Sequence, residues 1–552
     1  MVKGQKVGID VSTSMTGVTG SIYLVNIRFT NGAGTRILID AGKDMDRYDN
    51  DANAPFEGFF FDPRTIDAVF ITHPHLDHYG RLGELVHEHL NDEAKIYCTN
   101  ACAALLPLAL QNSYSVDMSK CKRVKDLPYD KDDLDTVISR IEGVDYNEDI
   151  VIENTKDCIV KTTPIYNAHL PGACSYLIRV SDPNDPNESV LLFSGDYKEK
   201  SALCKEVSID VEGFYDLPVN IFIESTYGGR SETDVKTCFE EELIDGLRSN
   251  KKVIIPSISL ERFQLILLMI KNMQDLGKIS DNVPIYADAP LAMNFSSILE
   301  HDDRIELKET AKHFRPEHLN VGSRFSLEGP PAIYVCGGGM GHGPSQGYIR
   351  QAISRNDCKI LFTCYQAENT LGRRILDAQE ADEIVINGET IEKRAQVAWT
   401  GEFSGHAHQE GLMRYIKKFP NVQSITIIHG DKENRNALMD AIEEEMGDKI
   451  WYNSLDRNVF ITFQGNNFKR LLSSNLISVT KKYEPPTSEE KEELKKKRKK
   501  KKHKESITVK RNFSKSSASN SGKPNRSQFN PKEKKKKISL GDGMFWIWVD
   551  FN

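Results

Sequence analysis

The sequence predicts an α/β protein of more than one domain, with a metal site at strand ends and a basic, disordered tail. Three observations carry this. At 552 residues the chain is several times the usual domain size of roughly 100–150 residues. Short apolar runs divided by turns occupy the chain up to about residue 215, and strands alternate with amphipathic helical patterns from about 217 to 395. Within the first region an apolar strand, AVFI at 68–71, ends on a turn that presents His73, His75, Asp77 and His78.

The elements follow in order. In the second region VIIP at 253–256 leads into a helix over 261–273, and ILFT at 360–363 leads into one that includes 372–375. A third stretch, 396–468, has a helix near 410–418 and a strand at 425–428, too little for an independent large domain. From about residue 480 the composition turns to Lys-rich low complexity, with KKKRKKKKHK at 495–504 and KEKKKK at 532–537. Such a segment cannot bury enough apolar surface to fold and is expected to be disordered. Its last residues differ, since FWIWV at 545–549 holds two of the four tryptophans.

Composition narrows the function classes. Hydrophobic residues make up 39%, and no run approaches the roughly 20 apolar residues of a membrane span, so no membrane partner is expected. The N-terminal residues lack the apolar stretch of a signal peptide. Ten cysteines are scattered without C-x-x-C pairs, which reads as reduced, mostly core thiols and a cytoplasmic location, or a nuclear one, from the lysine run, in a eukaryotic chain. The net charge of −8 hides an asymmetry: residues 481–552 carry about 22 basic and 9 acidic side chains, about +13, which leaves about −21 on the body. A body of that charge repels a polyanion at long range, so nucleic-acid binding must draw on metal ions, local basic residues and the tail.

The strand-to-turn change at 72–78 lets His73 and His75 face one ion while Asp77 and His78 face another, and imidazole and carboxylate suit zinc-like ions. Three more candidates follow strands in the same way: His169, Asp196 and His429. Strand carboxyl ends are where open α/β sheets place their sites. The count assigns His73, His75 and His169 to one ion and Asp77, His78 and His429 to the other, with Asp196 as a bridging carboxylate. Two divalent ions so held, zinc foremost with manganese as the alternative, could activate a bridging hydroxide and stabilise the charge developing on a phosphodiester.

With Asp40 in LIDAG, the HPHLDH run, His169 and Asp196, the sequence resembles the metallo-β-lactamase superfamily. It is similar more specifically to the β-CASP nucleases, whose further motifs appear in order as Glu224 in IESTYGGR, His406 in FSGHAHQEG and His429 in IIHGDKENR. The CGGGMGHGPS and YQAENTLGRR segments extend the resemblance over roughly residues 15–470. It implies a metallo-β-lactamase αββα sandwich interrupted by an inserted β-CASP α/β domain, divided here as 1–216, 217–395 and 396–475, with the disordered tail at 476–552. It also implies a ribonuclease, endonucleolytic or 5′-exonucleolytic, acting on single-stranded RNA. Asp77, Glu224 and His406 are its catalytic residues: His406 protonates the leaving 3′-oxygen and Glu224 orients His406. Histidine at the third motif favours RNA over DNA. SGHAH at 404–408 is closer to the ribonuclease J pattern than to that of the messenger-RNA 3′-end-processing endonucleases, and His408 departs from both.

Other positions keep two readings. Asp40 is a support for the metal-binding turn or an ordinary turn aspartate, and His87 and His89 read as surface or helix-face residues. His342 lies in a glycine-rich loop, as a structural residue or near phosphates. Arg262, Arg373, Arg374 and Ser404 are candidate phosphate contacts, although any of the arginines could pair with a carboxylate on this acidic body. The tail is an RNA- or polyanion-binding arm or a solubilising one, and 545–549 is a protein-docking strand or a plug on its own body. Homo-oligomerisation is left open. The competing functions are a DNA nuclease of the same fold and a weakly active scaffold subunit of an RNA-processing complex.

Overall fold

The computed structural model describes residues 6–472 apart from 16, 46–57, 122–126, 156–157, 206–213, 215–216, 235–236, 368, 448–450 and 456–458. The lysine runs and the 545–549 peptide lie outside the described residues.

Two sheets form the first layer pair. One contains β1 (Gly8–Thr13), β2 (Tyr23–Arg28), β3 (Gly34–Ile39), β4 (Ala68–Phe70), β5 (Lys95–Thr99) and β6 (Ile141–Val144), joined at the β1 edge by β22 (Val459–Gln464) and β23 (Asn467–Leu472). The other runs β21-β20-β11-β10-β9-β8-β7, from β7 (Ile150–Thr155), β8 (Cys158–Tyr166), β9 (Cys174–Asp182), β10 (Asp185–Phe193) and β11 (Val219–Glu224) to β20 (Val422–Ile428) and β21 (Trp451–Ser454). The period of two sets their faces. Ile37, Phe70, Leu191 and Phe193 point into the core between the sheets, where Phe193 stacks on Phe222. Leu38, Val69 and Ile96 point the other way, under α1 (Leu76–Tyr79), α2 (Leu82–His87), α3 (Asn100–Lys120) and α4 (Lys131–Arg140). Val190 and Leu192 lie under α10 (Gln409–Lys417) and α11 (Lys432–Met446). The result is the αββα sandwich.

Helices α3 and α4 sit in a region read from sequence as strands and turns. The Thr99 hydroxyl caps α3 by accepting from the Cys102 N–H, and the apolar run that follows buries Ala101, Leu105, Leu106 and Leu110. Its period is blurred because apolar residues extend around the helix, which removes the amphipathic signal.

Between β11 and β20, adjacent parallel strands, the chain leaves the sandwich and builds a second α/β unit. Its sheet, β14-β13-β15-β12-β16-β19, comprises β12 (Lys252–Ser257), β13 (Ile285–Asp288), β14 (Leu319–Val321), β15 (Ile333–Gly337), β16 (Cys358–Phe362) and β19 (Gln396–Trp399), all parallel. The hairpin β17 (Glu383–Ile386) and β18 (Glu389–Glu392) stands apart. The connecting helices are α5 (Phe239–Arg248), α6 (Arg262–Asp275), α7 (Pro290–His301), α8 (Pro344–Ala352) and α9 (Leu371–Asp377). Every residue of β12 is buried because the sheet is covered on both faces, Val253 and Ile255 facing one cluster and Ile254 the other. The boundary expected between residues 395 and 396 falls just ahead of β19, which pairs with β16 and so completes the inserted sheet.

All ten cysteines are free; eight are buried, and Cys121 and Cys238 are partly so. Among the described residues no helix is long and apolar enough to cross a membrane.

Candidate metal centre and its flanking histidine

The site collects at one end of the two sandwich sheets because β3 and β4 run parallel, and β8, β10, β11 and β20 share one direction in the other sheet. Asp40 follows β3, His73 to His78 follow β4, His169 follows β8, Asp196 follows β10, Glu224 ends β11 and His429 follows β20. Since β11 and β20 pair with Glu224 opposite Ile428, the detour of the inserted unit still returns His429 beside Glu224.

Close backbone packing aligns the ligand loop. Ser21 N–H donates to the Asp77 carbonyl (2.8 Å) and Ala41 N–H to the His78 carbonyl (2.7 Å). This approach requires glycine at 42, where a Cβ would fall 1.6 Å from the Asp77 carbonyl oxygen. Gly195, at φ 58°, is constrained likewise, since a Cβ there would stand 2.9 Å from Thr72 Cβ and from the Cys174 carbonyl.

Two ligand sets converge. His73 Nε2, His75 Nδ1, His169 Nε2 and Asp196 Oδ2 form one: His75 Nδ1 lies 3.2 Å from each of the other two ring nitrogens, and Asp196 lies 3.6 Å from His73 and 3.8 Å from His169. Asp77, His78, His429 and Asp196 Oδ1 form the other, with Asp196 at 3.2 Å from His78 and 3.4 Å from His429, and Asp77 at 3.8 Å from each. The two oxygens of Asp196 thus divide between the sets.

The remaining ring nitrogens fix which nitrogen is bare. His78 Nδ1 donates to Asp40 (2.8 Å) and His169 Nδ1 donates to the Gly405 carbonyl (2.7 Å), so each Nε2 turns a lone pair into the cluster. His429 Nδ1 lies 2.9 Å from the Thr226 hydroxyl, and His73 Nδ1 lies 3.0 Å from the Thr72 hydroxyl. Asp40 also accepts the Thr72 N–H and hydroxyl, so this buried carboxylate braces the turn. Asp40 and His429 hold positive φ, 60° and 45°, a strained backbone at two site positions.

The residues present fit metal ions. His78 Nε2, His429 Nε2 and Asp196 Oδ1 are buried atoms with no hydrogen-bond partner among the described residues. Leaving each so costs about 1–3 kcal/mol, a sizeable share of a typical stability of about 5–15 kcal/mol, unless a cation takes up their lone pairs. The surroundings of Asp196, His73 and His169 lean the same way, whereas at His78 burial is outweighed by Asp196, Asp40 and Asp77, which hold its imidazole pKa well above the usual range. Burial opposes ionisation of Asp196, yet His429, His78 and His406 hold its carboxyl well below the usual range. Burial drives His73 and His169 well below an ordinary imidazole, toward the neutral form that ligates.

At the rim, His406 Nδ1 donates to Glu224, 3.0 and 3.2 Å from its two oxygens. Glu224, 0% exposed, also accepts the Tyr197 and Thr226 N–H groups, so its orientation is set by three donors. Burial alone would lower the His406 pKa, but Glu224 and then Asp196 raise it to about 9. His406 Nε2 faces Asp196 Oδ2 at 3.9 Å, directing its second proton at the cluster.

The other expected positions are distributed as follows. Ser404 Oγ accepts the His406 N–H and donates to the His406 carbonyl, so it shapes the turn that carries His406. Arg262 is buried, donates to the Thr363 carbonyl and packs over the Phe403 ring at 5.8 Å, which commits it to the protein interior rather than to a phosphate. Arg373 pairs with Asp377, and Arg374, exposed, donates to the Asn369 carbonyl. His342 is exposed in its glycine loop and belongs to neither ligand set. His87 pairs with Asp133 at 2.7 Å, whereas His89 is a correction to the surface reading: at φ 68° it ends the helical turn and carries its ring inward, to 6% exposure. His408 sits at the N-terminus of α10 with its ring 5.5 Å from that of Tyr227, which Arg230 covers at 4.1 Å.

Sequence reasoning missed Thr72, Thr226 and Lys198. The threonines adjoin motif residues and were legible as hydroxyls beside ligands. Lys198, two residues beyond Asp196, donates to the Ser404 carbonyl, a contact no local pattern announces.

Comparisons with known proteins match the chain to three family models. Residues 15–200 match the family model of the metallo-beta-lactamase superfamily, 263–375 that of the Beta-Casp domain, and 390–453 that of the Zn-dependent metallo-hydrolase RNA specificity domain. Ribonuclease TTHA0252 of Thermus thermophilus is 28% identical over 76% of this chain and 92% of its own length. The RNase J-like protein of Methanocaldococcus jannaschii is 30% identical over 67% of this chain and 83% of its own. Endoribonuclease ysh1 of Schizosaccharomyces pombe is 25% identical over 81% of this chain and 58% of its own.

Proposed function

The chain belongs to the β-CASP family of metallo-β-lactamase hydrolases, and from that premise we propose that it is a ribonuclease that hydrolyses phosphodiester bonds of single-stranded RNA with two divalent cations, zinc first among them. The observation that carries this reading is the pair of ligand sets divided across Asp196, with the Glu224–His406 pair at their rim. When bound, the cations would supply Lewis acidity and a water of lowered pKa.

The chain's own residues do the rest. Asp40 and Thr72 hold His78 and His73, the Gly405 carbonyl holds His169, and the Thr226 hydroxyl backs His429, so the ligand nitrogens are set in place before substrate arrives. Asp77, 22% exposed at its side chain, stands on the open side of the cluster. Glu224 favours the charged imidazole of His406, and Nε2–H is then the donor to the leaving 3′-oxygen. A small-molecule hydrolase would have no use for that second proton donor on a deeply held carboxylate. RNA rather than DNA is supported by the ribonuclease names of the relatives and by the 390–453 match.

Incubating purified protein with 5′-labelled and 3′-labelled single strands of RNA and DNA of one sequence tests this. Metal-dependent cleavage of RNA, with DNA spared, is expected, and the two labels separate internal cuts from 5′-end degradation. Equal or exclusive cleavage of DNA would overturn the RNA assignment.

A further inference from the structure

At the carboxyl edge of the inserted parallel sheet, three large apolar side chains face solvent. Ile258 just past β12, Tyr365 just past β16 and Trp399 at the end of β19 are 39%, 52% and 37% exposed. They stand at the carboxyl ends of three neighbouring strands, β12, β16 and β19, and so mark one patch of this sheet edge. Trp399 Nε1 donates to the Cys364 carbonyl (2.9 Å), which fixes the indole beside the backbone that leads into Tyr365. Cys364 Sγ and Ile258 Cγ1 both flank Gly339, where an added Cβ would lie 2.8 Å from the one and 3.1 Å from the other.

The patch is tied to the metal centre. Trp399 precedes His406 by seven positions, at most about 25 Å of extended chain. That segment is pinned from both sides: Arg262 donates to the Thr363 carbonyl and packs over Phe403, and Lys198, two residues past Asp196, donates to the Ser404 carbonyl. Carboxyl ends of parallel strands are also the edge at which open α/β sheets receive ligands.

Resting on the ribonuclease reading, we propose that Tyr365 and Trp399, with Ile258 beside them, form a base-stacking platform for unpaired nucleotides flanking the bond that is cut. The charge balance favours bases over phosphates as the group held here. Residues 1–480 carry about −21, so long-range attraction of a polyanion is absent from the body, whereas an aromatic face binds a base independently of net charge. A hydrogen-bonded indole is already oriented, so little freedom is lost on binding. Because every base has such a face, the platform is tolerant of sequence, and it selects single strands, whose bases are available, over duplex.

The test uses full-length protein and its Trp399→Ala, Tyr365→Ala and Trp399→Phe variants. Binding is measured for a single-stranded RNA, made cleavage-resistant by thio-substitution at its phosphates, and for a matched oligonucleotide carrying abasic sites on either side of its centre. Each alanine variant is expected to weaken binding of the ordinary oligonucleotide about 5- to 150-fold, the range for one stacked base. Binding of the abasic strand should be equal in all proteins, and Trp399→Phe should keep most of the affinity. Circular dichroism checks that these surface variants fold. Unchanged affinity for the ordinary strand in both alanine variants would overturn the platform and leave a protein partner as the occupant. Equal weakening for ordinary and abasic strands would overturn it too, because the loss would then not involve bases. If wild-type protein binds RNA but cleaves none with either end label, the ribonuclease reading fails, and the variant ratios still decide the platform.

Discussion

Gly42→Ala is the substitution whose consequence the structure specifies most closely, although residue 42 touches no substrate. Its Cβ would stand 1.6 Å from the Asp77 carbonyl oxygen, 2.3 Å from the Asp77 carbonyl carbon and 2.7 Å from Ser21 N. Ordinary contact begins near 3.4 Å, so the Asp77 carbonyl must retreat by about 1.8 Å. That breaks its 2.8 Å bond from Ser21 N–H and strains the neighbouring 2.7 Å bond from Ala41 N–H to the His78 carbonyl. Both bonds hold the segment carrying Asp77 and His78, whereas metal–ligand distances tolerate only about 0.2 Å. The displacement exceeds that tolerance several-fold, so the Asp77/His78/His429 set should lose its ion while His73, His75 and His169 keep theirs. Metal content should fall from about two to about one per chain, and RNA cleavage by at least about 10²-fold, the scale of a 1 Å misplacement. Elemental analysis and end-labelled RNA kinetics measure both, with circular dichroism confirming the fold. Gly347→Ala is the paired control: nothing lies within 4 Å of a Cβ there, on α8, so that variant should be more stable by about 0.4–1 kcal/mol and fully active. A folded Gly42→Ala protein with two ions and wild-type turnover would refute the reasoning.

Three further outcomes are expected. Protein never exposed to chelator should contain two ions per chain, and Asp77→Ala close to one; a value near one in both would reject the two-site assignment. His406→Ala should lower cleavage of ordinary RNA by about 10²–10⁴-fold and be rescued on a substrate whose leaving 3′-oxygen is sulfur, which needs little protonation. The same loss on both substrates would give His406 another role. Removing residues 481–552, about +13, should spare turnover of a short oligonucleotide while weakening binding of long RNA and flattening its salt dependence, at a log–log slope of about 0.7 per phosphate released. Parallel salt lines of equal height would retire the RNA-arm reading.

The sequence by itself determined which side chains gather in the His/Asp cluster, whereas the αββα layering was legible only through the family resemblance. Seven ligand positions announced themselves because each stands where an apolar strand stops, and both β12 with α6 and β16 with α9 were legible from the change of hydrophobic period. What it left undecided was what depends on distant backbone. That α3 is a helix was hidden because Ala103, Ala104 and Leu108, which lie off its buried face, are apolar as well, and this erases the period. That Arg262 turns inward to the Thr363 carbonyl, 101 residues along the chain, and that His89 is buried rather than exposed are outcomes of tertiary packing that no local window holds. The sharing of Asp196 between two sets was expected from the count of candidate ligands, but the support of His169 by Gly405 236 residues away and the return of His429 beside Glu224 exist only once β11 pairs with β20. Strand pairing across a long insertion is a property of the whole chain: its loop-closure cost grows only slowly with length, and the buried sheet on either side sets its register.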